Sequence, residues 1–148
     1  MNLSFTGEYN YSIDQKGRLN IPAKFRKALD PENDNTFVIT RGFDPSLIVY
    51  PIIEWKKVEQ QLLLLSSIKN KDRSFVRSIV RFASTSKYDS QGRIQIPDIL
   101  MNYGRINKEV TIIGMINKIE LWDNSELNKI DNNNEDPSFE ELANEITF

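Results

Sequence analysis

Hydrophobic and polar positions along this 148-residue chain fall into short alternating runs, then two helical stretches, then alternating runs again. Glu8-Tyr9-Asn10-Tyr11-Ser12-Ile13 alternates and carries strand-favouring side chains, which predicts a strand. Arg18-Leu19-Asn20-Ile21 alternates as a half-buried strand does. Pro22 ends that strand and suits the first turn of a helix. Residues 23–29 then place Phe25 and Leu29 on one face, with Lys24 and Lys27 outward. Residues 30–35 form a breaker loop. Residues 36–40 and 46–50 predict two strands joined by a turn at 41–45. The period then lengthens. Residues 53–65 space Trp55, Val58, Leu62 and Leu65 along one helical face. Residues 72–82 place Phe75, Val76, Ile79 and Val80 on one side and Arg73, Arg77 and Arg81 on the other. That arginine row is open to two readings, a solvated face or a stripe that meets phosphates or a subunit.

One stretch occurs twice. Residues 13–22 read Ile-Asp-Gln-Lys-Gly-Arg-Leu-Asn-Ile-Pro, and residues 88–97 read Tyr-Asp-Ser-Gln-Gly-Arg-Ile-Gln-Ile-Pro. Asp14, Gly17, Arg18, Ile21 and Pro22 recur 75 positions later as Asp89, Gly92, Arg93, Ile96 and Pro97. An aspartate at the head of a turn accepts hydrogen bonds from backbone N–H groups two or three residues on, and glycine supplies a positive φ that other residues tolerate poorly. Each copy therefore reads as strand, polar turn, strand, short helix. A single copy could be a plain hairpin turn whose Asp and Arg form a surface pair. Two copies in one grammar ask for more.

The later strands repeat as well. Val110-Thr111-Ile112-Ile113-Gly114 corresponds to Val38-Ile39-Thr40-Arg41-Gly42, and Ile119-Glu120-Leu121-Trp122 to Leu47-Ile48-Val49-Tyr50, now with an offset of 72. A duplication whose length change falls in a loop accounts for both offsets. Either half alone is small for an independent core, so the halves are expected to pack together.

Composition narrows the chemistry. The chain has no Cys and no His, which removes disulfides, Cys/His metal sites and thiol or imidazole catalysis. The carboxylates are scattered, and no phosphate-binding or metalloprotease motif is present; an enzyme is not expected, nor a cofactor or metal. No apolar run approaches the ~20 residues of a membrane span, and Met1-Asn2-Leu3-Ser4 lacks the form of a signal peptide. A cytoplasmic protein without membrane contact is the expectation.

The net charge of −2 is unevenly spread. Residues 1–128 carry +3 and residues 129–148 carry −5, while residues 61–105 alone carry +5. Local potential, not the whole-chain balance, decides whether a polyanion is attracted. Residues 131–137 read as a polar linker. Ser138 and Glu141 then have capping-box spacing, with Phe139, Leu142, Ala143 and Ile146 on one helical face. The tail is either a flexible acidic appendage or a small helix that docks on a neighbouring subunit. The two turns offer Gln15, Lys16 and Arg18, and Ser90, Gln91 and Arg93. Arg suits bidentate contact with guanine or phosphate, Gln suits adenine, and Lys and Ser suit phosphates. A two-stranded ribbon or its loop fits the major groove of B-DNA.

At these residues the chain resembles the MraZ family, regulators built from two AbrB/SpoVT-type swapped-hairpin domains. The resemblance rests on Gly7-Glu8-Tyr9-Asn10, the two Asp-x-x-Gly-Arg turns, Ile21-Pro22-Ala23-Lys24-Phe25-Arg26, Val49-Tyr50-Pro51 with Glu54-Trp55, Ile96-Pro97 and Ile119-Glu120-Leu121-Trp122. It implies an α+β fold in which duplicated AbrB-like halves interleave into a pseudo-symmetric small β-barrel, with Ile13, Leu19, Ile21, Val38, Val49, Ile94, Ile96, Ile112 and Leu121 inward. Helices are expected between and after the halves. The implied units are 8–54 and 83–126, with a helical connector 55–82 and an acidic tail 129–148. It further implies a transcriptional regulator, typically a repressor, that binds direct repeats in the promoter of the division and cell-wall gene cluster, its own promoter included. The regulator would be nucleoid-associated and assembled as a ring of copies. Carried over by position, Arg18 and Arg93 would contact DNA, with Lys16, Gln15, Gln91 and Ser90 as auxiliary contacts. Asp14, Gly17, Asp89 and Gly92 would hold the loops in shape. Lys87, where the family more often has an acid, and the acidic tail depart from the pattern. The alternative is an AbrB-like antitoxin or an interaction scaffold whose loops hold another protein.

Overall fold

The computed structural model describes residues 3–133 and 138–146. Part of the expected linker, 134–137, lies outside the described residues. Among the described residues, eight strands and six α-helices follow one another: β1 (Glu8–Ser12), β2 (Arg18–Asn20), α1 (Ala23–Ala28), β3 (Thr36–Arg41), β4 (Leu47–Pro51), α2 (Ile52–Leu63), α3 (Asn70–Val80), β5 (Ser84–Lys87), β6 (Arg93–Gln95), α4 (Asp98–Tyr103), β7 (Glu109–Gly114), β8 (Ile119–Trp122), α5 (Asn124–Asp131) and α6 (Phe139–Glu145). The α+β class follows directly from this order.

Six strands make one antiparallel sheet in the order β1-β7-β8-β4-β3-β5, and β2 pairs with β6 in a separate two-stranded ribbon. The halves interleave. β1 of the first half pairs with β7 of the second, as Tyr9 opposite Ile112, and β5 of the second pairs with β3 of the first, as Val38 opposite Thr85. Exchanging the halves maps the strand order onto itself. The strands do not close into the expected barrel. β2 and β6 are three residues each, and the chain reaches Pro22 and Pro97 two positions later, where no N–H is left to extend a ladder. The sheet therefore stays open, with β1 and β5 at its edges.

The ribbon delivers Leu19, Ile21, Ile94 and Ile96 into the core, each at most 1 % exposed. There they meet Ile39 and Val49 of the first half and Ile112 and Leu121 of the second, with Phe5 and Phe25 filling the remaining space. Val38 departs from the expected inward set. It is buried, but on the opposite sheet face, shared with Thr40, whose hydroxyl donates to the Ile79 carbonyl of α3 at 2.9 Å. Period-two alternation forces Val38 and Thr40 away from Phe37 and Ile39. Both faces of this part of the sheet are covered, one by the core and one by α2 and α3.

The helices differ from expectation in their limits. α2 stops at Leu63, and α3 begins at Asn70, two residues early. In the loop between them the Ser66 N–H donates to the Asp72 carboxylate at 2.9 Å, and Arg73 Nη1 donates to the carbonyls of Ser67 and Ile68 at 2.9 and 2.6 Å. One arginine of the row is thus a loop staple. α5 was not legible as a helix from its apolar positions. Its start is fixed by Asp123, which accepts from the Glu126 N–H at 3.2 Å, and Glu126 pairs with Arg105 and Lys129. The Ser138 hydroxyl caps α6 by accepting from the Glu141 N–H at 3.2 Å, as the capping-box spacing predicts. Lys87 finds an acid across the strand pair, reaching Asp34 at 3.2 Å.

Candidate nucleic-acid interface

Each repeated turn is closed by its own aspartate. In the first, the Gly17 N–H donates to the Asp14 carbonyl and the Asp14 N–H to the Arg18 carbonyl, both at 3.0 Å. Gly17 sits at φ +77 and Gly92 at φ +79, a left-handed conformation that glycine adopts without cost. This is the geometry of a tight turn that ends in a left-handed residue. Asp14 Oδ1 accepts from the backbone N–H groups of Lys16 and Arg18 at 2.9 Å, and Oδ2 accepts from Arg18 Nε at 2.7 Å. The second turn repeats this. Asp89 Oδ1 accepts from the Gln91 and Arg93 N–H groups at 2.9 and 3.0 Å, and Oδ2 from Arg93 Nε at 2.8 Å.

These contacts hold both carboxyls below the ordinary carboxylate range. For Asp14 the Arg18 backbone N–H is the main cause; partial burial opposes it, and the Arg18 side chain and Lys16 N–H reinforce it. Asp89 is held low by Arg93 and Gln91 in the same way. Each arginine therefore spends Nε on its own loop, which aligns the guanidinium. Arg18 and Arg93 are half-buried at the loop bases, whereas Gln15, Lys16, Ser90 and Gln91 are exposed at the tips.

The two loops are fastened to each other. The Ile21 N–H donates to the Gly92 carbonyl at 2.9 Å, and the Ile96 N–H to the Gly17 carbonyl at 2.8 Å. Asn20 Nδ2 donates to the Gln91 carbonyl at 3.1 Å, and Gln95 Nε2 to the Lys16 carbonyl at 2.6 Å. Each strand's amide thus holds the loop of the other half. Arg93 Nη1 also lies 3.9 Å from Asp14 Oδ2. The plain surface pair of Asp and Arg is present in both turns, but it is embedded in a unit whose two loops are braced against each other.

Sequence reasoning gave three of these residues no role in the site. Asn20 and Gln95 are amides at the same place in both copies, and that coincidence was the available signal. Arg26 gave none. Its Nε donates to the Ile21 carbonyl at 3.0 Å, and its guanidinium packs under Gly92 and over the Tyr88 ring, 5.8 Å from the centroid. The residue 75 positions on is Met101, which lies beside the first loop with Asp98 and Lys108. The two loops share a frame but rest on different floors.

The family model described as "MraZ protein, putative antitoxin-like" matches the chain twice, over residues 4–78 and 79–148. The two matches begin 75 residues apart, the spacing of the repeated turn. The second runs through the acidic tail, so the tail is not outside the family's length as the departures suggested. Relatives named transcriptional regulator MraZ include one from Halothermothrix orenii, 48% identical over 118 residues and 80% of either chain. One from Natranaerobius thermophilus is 42% identical over 142 residues, 96% of either chain. One from Pediococcus pentosaceus is 45% identical over 118 residues, 80% of either chain.

Proposed function

The chain belongs to the MraZ family, and from that membership we propose that it is a sequence-specific DNA-binding transcriptional regulator and not an enzyme. The observation that carries this reading is the pair of identically built loops, cross-braced so that two guanidiniums and four exposed polar tip residues act as one unit. Arg18 and Arg93 are the principal contacts. Lys16, Gln15, Gln91 and Ser90 flank them on phosphates and base edges, while Asp14, Gly17, Asp89 and Gly92 keep the loops in shape.

The finer reading follows the family resemblance. The regulator acts as a repressor at direct repeats upstream of the division and cell-wall gene cluster, its own promoter included. It works in the nucleoid as a ring-like assembly of copies. The units 8–54 and 83–126 each present one AbrB-like swapped-hairpin loop, joined by the connector 55–82, with the tail 129–148 apart from both.

Fluorescence anisotropy tests this with the chain's own upstream promoter duplex and a scrambled duplex, at two salt concentrations. Wild type is expected to prefer its promoter and to weaken steeply as salt rises. Arg18→Ala and Arg93→Ala, each checked for an unchanged circular dichroism spectrum, are expected to lose that preference. Wild type binding neither duplex at low salt overturns the reading. The words "antitoxin-like" in the family description favour one second reading, an antitoxin whose loops hold a protein. Salt-insensitive capture of a protein partner, dependent on the same arginines, would select it.

A further inference from the structure

Two surfaces of this chain are exposed and complementary. The first is the outer side of the α2–α3 pair. Helix α3 has no buried residue along its length. Leu63 and Leu64 are 74% and 86% exposed where α2 ends, and Val80 of α3 is 44% exposed. Between the helices runs a groove lined by Leu62, Leu65, Val76 and Val80, with Arg73 and Arg77 on its rim. Residues 69–81 carry five basic groups against one acid. Arg77 has no ion pair among the described residues, whereas Arg73 is tied to the loop carbonyls. Solvent-exposed apolar surface of this extent marks a place of contact.

The second surface is α6. Phe139 is 89% exposed, Leu142 43% and Ile146 69%. They lie at i, i+3 and i+7, the spacing by which an amphipathic helix enters a groove. Glu140, Glu141 and Glu145 flank that stripe. The groove is apolar with a basic rim, and the helix is apolar with acidic flanks.

We propose that α6 of one copy docks in the α2–α3 groove of a second copy. Phe139, Leu142 and Ile146 fill the apolar floor, and the glutamates face the basic rim around Arg77. Every chain carries one tail and one groove, so each contact joins the tail of one copy to the groove of another. Such contacts propagate, or close into a ring when the rotation allows. The acidic tail is then spent on a neighbour instead of competing with phosphates near the loops. The inference rests on the self-association proposed above and is independent of DNA recognition.

Sedimentation velocity on the full chain tests it with two double variants. The tail variant is Phe139→Asp with Leu142→Asp. The groove variant is Arg77→Glu with Val80→Asp. Both sets of side chains are exposed, and unchanged melting temperatures confirm intact folds. Wild type is expected at a multiple of 17.2 kDa, with each variant falling toward the single-chain mass. An equimolar mixture is expected to regain a dimer, because the tail variant keeps an intact groove and the groove variant an intact tail. A tail variant that keeps the wild-type mass sinks the inference alone. Monomeric variants that stay monomeric when mixed sink it too. A wild type that is itself monomeric overturns the self-association reading and this inference together, while leaving the DNA test untouched.

Discussion

Gln95 reaches across the ribbon to donate its amide to the Lys16 carbonyl at 2.6 Å. Asn20 makes the reciprocal contact to Gln91 at 3.1 Å. Each loop is therefore fastened to the other half of the chain, and the two loops brace each other. Both amides are exposed, so their loss should cost the fold little, about 0.5–1.5 kcal/mol each. Removing the Gln95 clamp frees the tip that carries Lys16. Gln95→Ala and the near-isosteric Gln95→Glu, which cannot donate, should both weaken promoter binding by about tenfold (~1.4 kcal/mol) with a near-normal urea midpoint. Gln95→Glu retaining full discrimination would show that the clamp does not matter.

The glycines of the two turns should respond differently to alanine. Both sit at positive φ, so either substitution carries ~1–2 kcal/mol of backbone strain. At Gly17 a Cβ would lie 2.9 Å from Gln95 Nε2 and 3.1 Å from the Ile96 carbonyl oxygen, which is fixed backbone. At Gly92 it would meet the Arg26 guanidinium at 2.6 Å, the end of a long side chain. Gly17→Ala is expected to lower the melting temperature further and to disturb both loops, because it displaces the clamp. Gly92→Ala should expel Arg26 from over Tyr88. Thermal melts of the two variants, together with Arg26→Ala, check the ranking.

Much of this arrangement was legible in the sequence because its signals are local. Asp14, Gly17 and Arg18 announce a turn through residue types with particular backbone and hydrogen-bond habits, and the second copy confirms the grammar. Alternation located the strands. Alternation says nothing about partners, however, and the pairing of β1 with β7 across about 100 residues is set by the shared core. The same limit explains Val38: its apolar character fits either face of a sheet covered on both sides. The helix α5 carries too few apolar positions to show a stripe and is held by its cap and by the Glu126 ion pairs. The amide clamps were not legible because a matched pair of amides does not say which carbonyl each one reaches.

The loop aspartates set an acid limit. Asp14 and Asp89 titrate lower in the folded chain than in the unfolded one. Their stabilisation is therefore complete above the unfolded value of about 3.9 and is lost as pH falls through the folded value. Glu126 is also held low, first by Arg105 and then by Lys129, so it adds to the same loss. With no histidine in the chain, no imidazole titrates between about pH 5 and 8. Melting temperature should be flat across that range and fall below about pH 4. An Asp14→Asn, Asp89→Asn variant should melt lower at neutral pH and show a shallower acid decline, the remainder belonging largely to Glu126. A wild-type melt that is flat down to pH 3 would mean the loop contacts do not differ between the folded and unfolded chain.

The interleaved sheet makes a stronger demand, that neither half folds as a monomer. In residues 1–82, β1 would lack β7, β3 would lack β5, β4 would lack β8 and β2 would lack β6. Its core residues Leu19, Ile39 and Val49, each fully buried in the whole chain, would lose the facing Ile94, Ile112 and Leu121. Deleting side-chain mass at such a site in the intact chain, as in Leu19→Ala, costs ~2–5 kcal/mol, a large share of the ~5–15 kcal/mol by which a domain of this size is stable. Removing every facing residue at once exceeds that margin. The intact chain should unfold in one transition reported alike by Trp55 and Trp122, which sit in different halves. The fragment 1–82 should be either unfolded by circular dichroism or a dimer by sedimentation, with a second copy supplying the missing strands. The pseudo-symmetry of the whole chain makes the dimer the favoured escape, since β5 and β1 occupy equivalent places. A folded, monomeric fragment would require β1 to find a partner within its own half, and the pairing of Tyr9 with Ile112 would then be dispensable to the fold.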